Sequence, residues 1–292
     1  RGQLIGFYMI VLYFSTSAGV MLVNLKTTTE AHLYILTSLL ISLALIPILL
    51  TKKPAPDFTT PKFLSLKELY RKSPMAFIGS FAIGMVYSAL FGLIAVFGAK
   101  IGLSIFQISI LVFVNTFVGA VFQYPIRKIS DKFDRRSILL VLNLIAIVSL
   151  ILAFFLGSIS FYVLLLFVGI HSGVSLPYYA VVISHMNDFL EREEIVSGSS
   201  TLTLVNALGM VTGPLLASGF MAYFGPYGWF VYMIVVYSLV APYNFARIRV
   251  GRTSDIYEDN TPSMIVPRTA SPVGMQLATE QVINKIEEEA AT

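Results

Sequence analysis

Eight apolar stretches of about 20 residues follow one another along this chain, and Asp, Glu, Lys and Arg occur only near their ends. A helix of this length matches the hydrocarbon thickness of a bilayer. Lipid offers no partners to backbone N–H and C=O groups, so each stretch must be helical, and none has the short alternating pattern of a barrel strand. We therefore predict an all-α membrane protein with about eight transmembrane helices, at residues 4–25, 30–50, 75–98, 103–126, 138–156, 160–184, 199–223 and 227–246.

Composition excludes several other classes of protein. Only 12% of the 292 residues are charged, whereas soluble domains carry about 25%. The net charge of +4 does not by itself indicate nucleic-acid binding, because the basic residues lie in the connections between the predicted spans. The chain has no cysteine, which excludes disulfides and thiolate metal sites. We expect a lipid bilayer as surroundings, no nucleic-acid partner, no cofactor and no metal.

The basic residues are concentrated in alternate connections between the spans. Of the 20 Lys and Arg residues, 18 fall on one side, and only Lys26 and Lys100 fall on the other. Cytoplasmic connections are enriched in Lys and Arg. We therefore predict a multi-pass protein of the cell membrane with both ends of this chain in the cytoplasm.

Two polar segments lie outside the predicted spans. Residues 51–74 are basic and proline-bearing, and we interpret them as a cytoplasmic loop with a short helix at Ser65–Lys72 on the membrane surface. Residues 248–292 are interpreted as a largely disordered cytoplasmic tail with a weak helix at Met275–Ala290.

The loop after the fourth span, PIRKISDKFDRR at residues 125–136, carries a recognisable pattern. It resembles the cytoplasmic motif G-x-x-x-D-[RK]-x-G-[RK]-[RK] of the major facilitator superfamily, with Arg127 and Asp134 where the family has glycine. The resemblance implies a latch between helices, whereas the residues alone also allow a solvated loop that only sets topology. The matching positions are Asp131, Lys132, Arg135 and Arg136.

A second pattern lies in the seventh span, where Gly209, Gly213 and Pro214 form G-x-x-x-G-P. It resembles another motif of the same superfamily. Small residues four apart let two membrane helices approach closely, and proline permits a bend. We predict a helix-packing role for the three residues.

The chain also repeats itself. The span after Arg1–Gln3 has Gly19 near its middle, and the span after Glu191–Ile195 has Gly209 there, about 190 residues later. The superfamily fold has 12 helices in two related halves, so the resemblance implies helices five to twelve. Residues 1–50 would end the first half, 51–74 would be the central loop and 75–247 the second half. We expect a fragment, the C-terminal two-thirds of a transporter that is a monomer when complete.

Within the superfamily, one region is similar to the bacterial branch of YcaD-type permeases. It comprises residues 175–179, 184–188 and 199–214.

The resemblance also implies that the first and fourth helices of each half, here 75–98 and 160–184, line a substrate cavity. Polar groups inside membrane helices often mark pathways, although they also bond locally to the backbone. His171 is the one ionisable residue deep in a span, and proton coupling and a neutral, helix-bonded histidine both remain open. The candidate cavity residues are Tyr87, Ser88, Asn115, His171, Ser172, Ser175, Tyr178 and Asn206.

The function expected from the resemblance is secondary active transport of a small-molecule substrate by alternating access, coupled to an ion gradient, with protons as a candidate ion. A transporter-like sensor or scaffold is the alternative. We expect no enzyme, because His185 and Asp188 are too few for a metal site and no nucleophile with a nearby base is evident. We also expect that residues 1–292 alone do not transport.

Overall fold

The protein is helical throughout the part that the computed structural model describes, which is residues 2–25, 31–50, 64–191 and 194–249. The six predicted spans after residue 74 are each present, with ends within four residues of those predicted. The helices are α1 (Gly2–Met21), α2 (His32–Leu49), α3 (Leu66–Lys72), α4 (Pro74–Lys100), α5 (Ile105–Ser130), α6 (Arg135–Leu156), α7 (Phe161–Asn187), α8 (Ile195–Phe224) and α9 (Gly228–Arg249).

Six of these helices, α4 to α9, are long and apolar enough to cross a membrane, with mean hydropathy between 1.4 and 3.0. The helices α1 and α2 occupy the predicted spans 4–25 and 30–50, and the apolar part of α2 is the shorter stretch His32–Pro47. The all-α membrane fold is confirmed by the six helices. The two further crossings, which would bring the number to eight, stay a prediction.

Local sequence signals determine where the helices begin. Ser104 caps α5 and Gln107 bonds back to it, so two otherwise unpaired N–H groups are satisfied. The short helix predicted at Ser65–Lys72 is confirmed as α3, with Ser65 as its cap and Glu68 as the reciprocal partner. Its position on the membrane surface stays a prediction. The predicted helix Met275–Ala290 and the rest of residues 250–292 lie outside the described residues, as do residues 51–63, whereas residues 248 and 249 of the predicted tail belong to α9.

The helices pack as two interlocked sets. The helix α4 lies along α8, while α5 and α6 lie on either side of α7. The helix α9 contacts α4, α6 and α8 and so joins the two sets, and α1 packs against α5. Near the last turns of α4, Phe97 stacks on Trp229, whose indole N–H donates to the Ala89 carbonyl at 3.0 Å. The helix α7 lies against α4, α5 and α6 and is the most enclosed of the six long helices.

Candidate functional site

The loop between α5 and α6 forms without glycine. Arg127 is helical and lies inside α5, and Asp134 caps α6 with φ −56° while accepting a bond from the Arg136 N–H at 3.1 Å. Neither residue has the positive φ that favours glycine. The two departures from the superfamily pattern are therefore compatible with this backbone.

The two arginines at the start of α6 contact the ends of three other helices, α5, α7 and α9. Arg135 forms an ion pair with Asp188, which caps the C-terminus of α7, and its guanidinium lies 3.7 Å from Asp131. Arg136 donates to the backbone carbonyl of Arg247 at 3.3 Å, close to the last residue of α9. Bonds of this type between cation and carboxylate are stronger than neutral ones. The loop thus contacts α7 and α9, and its role as a latch stays a prediction.

Of the four motif residues, Lys132 is exposed and forms no ion pair with another described residue. The partner Asp188 was not singled out for this role by the sequence. The signal that could have found it is its position, directly after an apolar span and on the same predicted side as Arg135.

The second motif lies where α4 and α8 approach most closely. A Cβ added to Gly209 would overlap the backbone carbonyl of Phe81, and one added to Gly213 would overlap the Ser88 hydroxyl and the Met85 carbonyl. The Ser88 hydroxyl itself bonds to the Met85 carbonyl at 3.1 Å, within α4. Only glycine fits at either position of α8, as expected for closely packed membrane helices.

Hydrogen bonds continue the contact beyond the glycines. The side-chain amide of Asn206 donates to the Ser80 carbonyl at 2.9 Å, and the Ser80 hydroxyl donates to the Leu202 carbonyl at 3.0 Å. Gly84 faces Asn206, because a Cβ there would overlap the Asn206 carbonyl. Pro214 lies inside α8, directly after the glycine pair. Asn206 and Ser88 therefore occupy a helix–helix contact.

The two helices expected to line a cavity are joined by one tyrosine. Tyr87 of α4 donates to the carbonyls of Ser175 and Leu176 in α7, at 3.0 and 2.7 Å. These carbonyls immediately precede Pro177, which lacks an N–H and so removes one backbone donor from the helix. The backbone carbonyl that loses its helical donor is that of Gly173, four residues before Pro177, so the tyrosine hydroxyl is an additional donor within the turn that precedes the proline.

Ser172 faces α5. Its hydroxyl lies 2.5 Å from Oδ1 of Asn115 and 2.7 Å from the carbonyl of Val168. The other side-chain atom of Asn115, Nδ2, has no hydrogen-bond partner among the described residues, and Asn115 is fully buried. A free amide donor is therefore held between α5 and α7.

His171, Ser175 and Tyr178 lie on another face of α7, four and three residues apart, towards α9. The Ser175 hydroxyl is 2.5 Å from the hydroxyl of Tyr237 and 3.5 Å from Nε2 of His171. Asn244 donates to the Tyr178 hydroxyl at 3.2 Å. Nδ1 of His171 has no partner among the described residues. The sequence did not single out Tyr237 or Asn244, although both are polar residues in or beside an apolar span.

All eight candidate cavity residues are buried. They fall into three groups, at the α4–α8 contact, between α5 and α7, and between α7 and α9, with Tyr87 between α4 and α7. A narrow crevice near the loop end of α5 and α7 contains none of them. It is lined by Gln123, Arg127, Ser130, Pro177, Ala180, Val181 and Ser184.

A family profile and individual relatives of known sequence agree on the family of this chain. A sequence profile described as Major Facilitator Superfamily matches residues 1–188 and, in a second match, residues 76–255. The chain is 25% identical over 231 residues to the uncharacterized MFS-type transporter YcaD of Escherichia fergusonii, covering 77% of this chain and 58% of that protein. It is 27% identical over 171 residues to the uncharacterized MFS-type transporter YfkF of Bacillus subtilis, covering 57% of this chain and 42% of the relative.

These matches confirm the resemblance drawn from residues 127–136 and 209–214, and proteins named YcaD are among the relatives. The chain spans little more than half the length of the first of these relatives, 58% of it.

Proposed function

Because this chain belongs to the major facilitator superfamily, we propose that it is part of a secondary active transporter that moves a small solute across the cell membrane by alternating access. The family match and the six apolar helices make it a multi-pass membrane protein. The proposal includes no catalytic reaction, because the superfamily is one of transporters.

We propose the division of the chain that the family fold implies. Residues 1–50 supply helices five and six, 51–74 the central loop, 75–247 the second half and 248–292 the tail, with both ends in the cytoplasm. The packing of α1 on α5 supports this arrangement, as does the second profile match, which begins at residue 76 near the first residue of α4.

The observation that carries the transport proposal is the bond from Tyr87 to α7 beside Pro177. It is a hydrogen bond between the first and fourth helices of the half, in the turn of α7 in which Pro177 removes one backbone bond. A hydrogen bond of this kind can break and form again with another partner when the helices rock. The α4–α8 contact depends instead on the close approach of two backbones. We propose that α7 moves against α4 at Tyr87, and that α4 and α8 move together.

For substrate, we propose Asn115 and Ser172 as direct contacts. The unpartnered Nδ2 of Asn115 is a buried donor, and such a group in a membrane interior is costly unless something accepts from it. A carbonyl, hydroxyl or carboxylate oxygen of the solute would fit. Ser88 and Asn206 support helix packing in this proposal, because their bonds lie within the α4–α8 contact.

For the coupling ion, we propose a proton carried by His171. It is buried, and its Nδ1 has no partner among the described residues. Its Nε2 lies 3.5 Å from the Ser175 hydroxyl, which in turn lies 2.5 Å from the Tyr237 hydroxyl. A hydroxyl can both accept and donate a proton. Ser175 and Tyr178 would then maintain the contact with α9 and not touch the solute.

The test uses the complete reading frame that contains these residues, reconstituted in liposomes that enclose a pH-sensitive dye. A panel of isotope-labelled amino acids, sugars and carboxylic acids is offered with and without a pH gradient. We expect saturable uptake of at least one solute, accompanied by proton movement. His171→Gln should abolish gradient-driven accumulation and retain exchange of solute, and Asn115→Ala should raise the half-saturating concentration. Correctly folded protein that moves no solute of the panel would favour the sensor or scaffold alternative.

A further inference from the structure

The short helix α3 is docked onto the bundle and does not stand apart from it. Leu69 is fully buried and Leu64, just before the helix, is 6% exposed. The ring of Tyr70 meets Phe77 of α4 edge-on, with centroids 5.4 Å apart. The segment therefore has an inner face that packs on α4 and α8.

Two polar contacts join this segment to α8. Lys72 donates to both carboxylate oxygens of Glu194, at 2.6 and 2.5 Å, and the Thr201 hydroxyl donates to the Leu64 carbonyl at 2.5 Å. Glu194 immediately precedes the first residue of α8, and its carboxylate also accepts from the Glu191 N–H at 3.2 Å. The two ends of α3 are thus both attached to the start of α8.

These attachments extend the α4–α8 contact to the end of the bundle at which both helices begin. Within the membrane part, α4 and α8 are held by Ser80 and Leu202 and by the glycines further along. Thr201 is the neighbour of Leu202, so the bond to Leu64 continues the same line of contacts outward. The first turn of α8, before Thr201, is joined to α3 by the ion pair of Glu194 with Lys72.

We propose that α3 is a clasp, formed by Leu64, Leu69 and Lys72, and that Lys72 and Glu194 are positioning residues that hold the first turn of α8 against α4. Residues 64–72 thereby move with the helix bundle. The clasp is a property of the described helices and holds whether or not the chain transports.

The contacts of the clasp differ in how they respond to salt. The Lys72 and Glu194 side chains are 36% and 22% exposed, so their attraction is partly screened by ions. The burial of Leu69 and the Thr201–Leu64 bond are not ionic. Loss of the ion pair should therefore release the first turn of α8 and leave α3 folded, with its cap at Ser65 intact.

The absence of cysteine from the sequence makes a direct measurement possible. Spin labels are attached at Leu66→Cys in α3 and Ser200→Cys in α8, both exposed positions, in the full chain in lipid nanodiscs. Double electron–electron resonance then gives the distribution of distances between the two labels. We expect one narrow distribution in the parent chain, and a broader one with a longer mean in Lys72→Met and Glu194→Gln.

Two comparisons separate the clasp from a general loss of folding. The matched control is Arg71→Met, which removes an exposed cation of the same helix and should leave the distribution unchanged. The swapped variant K72E/E194K should recover most of the narrow distribution. High ionic strength should broaden the distribution in the parent chain and have no further effect in Glu194→Gln. Unchanged distributions in both single variants, or equal broadening in Arg71→Met, would overturn the proposal.

Discussion

The side-chain amide of Asn206 donates a hydrogen bond of 2.9 Å to the backbone carbonyl of Ser80, across the contact between α8 and α4. Both residues are buried, and the Ser80 hydroxyl returns a bond to the carbonyl of Leu202. The two helices are therefore joined by bonds in both directions at one level of the membrane.

Replacing Asn206 with Leu should destabilise the protein by about 1 kcal/mol, because interhelical side-chain bonds in membranes are worth roughly 0.6–1.7 kcal/mol. The measurement is the free energy of unfolding in mixed micelles of increasing denaturing detergent. Thr212→Val is the control on the same helix, since the Thr212 hydroxyl bonds only within α8. Equal stability of Asn206→Leu and the parent chain would contradict the role given to this bond.

Gly213→Val should lower the free energy of unfolding by about 1–3 kcal/mol or more, because the added carbon atoms meet backbone of α4 that cannot move aside. The midpoint of thermal unfolding in detergent, followed by size-exclusion chromatography, reports the loss. Gly219→Val is the matched control, since a Cβ at Gly219 meets no atom within 4 Å. If both variants lose stability equally, close packing at Gly213 is not the cause.

Tyr87→Phe removes only a hydroxyl, and we expect a loss of about 1 kcal/mol because the hydrogen bond to the Ser175 and Leu176 carbonyls is lost. Hydrogen exchange of the α7 amides, measured by mass spectrometry, should increase around residues 175–181. Tyr124→Phe, at a position 74% exposed, provides the comparison. Unaltered exchange in α7 would argue against Tyr87 as the link between α4 and α7.

Arg135→Gln and Asp188→Asn should each lower the free energy of unfolding by about 1–2 kcal/mol. This range lies between the values for exposed and for buried ion pairs, because the two side chains are 20% and 30% exposed. The double variant should cost less than the sum of the single ones, since each removes the same interaction. Lys132→Gln, an exposed cation of the same loop, should change the free energy of unfolding by less than about 0.5 kcal/mol. Additive effects of Arg135→Gln and Asp188→Asn would show that the pair contributes nothing.

The stability of the first turn of α3 should depend on pH, and the stability of the first turn of α5 should not. The hydroxyl of Ser65, and next its N–H, bond to the Glu68 carboxylate and lower its pKa below the ordinary 4.5. The stabilisation is therefore complete above that ordinary value and is lost as pH falls through the lowered pKa of the folded chain. The cap of α5 uses the neutral Gln107 in the same geometry.

Carboxyl NMR of Glu68 gives its pKa, and amide exchange gives the fraying of each helix. Ser65→Ala should return the pKa of Glu68 towards its ordinary value. Fraying of α3 and α5 at the same pH would refute the assignment to Glu68.

The helices were predictable because their signals are local. Apolar runs bounded by Ser160, Asp134 or Pro74 determine α7, α6 and α4 to within a few residues, and the spacing of Ser65 and Glu68 is that of a capping box. The glycine pair in α8 likewise indicated a close helix contact before its partner was known. What these signals have in common is that each depends on neighbours in sequence.

The partners across the bundle were not predictable in the same way. The face of α7 that meets α9 differs little in polarity from the face that meets α5, since a helix enclosed on all sides has no apolar stripe to orient it. Ser175 and Ser172 therefore looked equivalent as cavity residues, although one contacts Tyr237 and the other Asn115. The partnership of Arg135 with Asp188 likewise depends on where two loops meet in space.

The bond between Ser80 and Asn206 has a consequence for biosynthesis. The two residues are 126 positions apart, and at a ribosomal rate of roughly 5–20 residues per second the second follows the first by about 6–25 s. During that interval α4 has already entered the bilayer, with its small-residue face and the Ser80 hydroxyl lacking their final neighbour. The contact between α4 and α8 therefore forms only after α5, α6 and α7 have been synthesised.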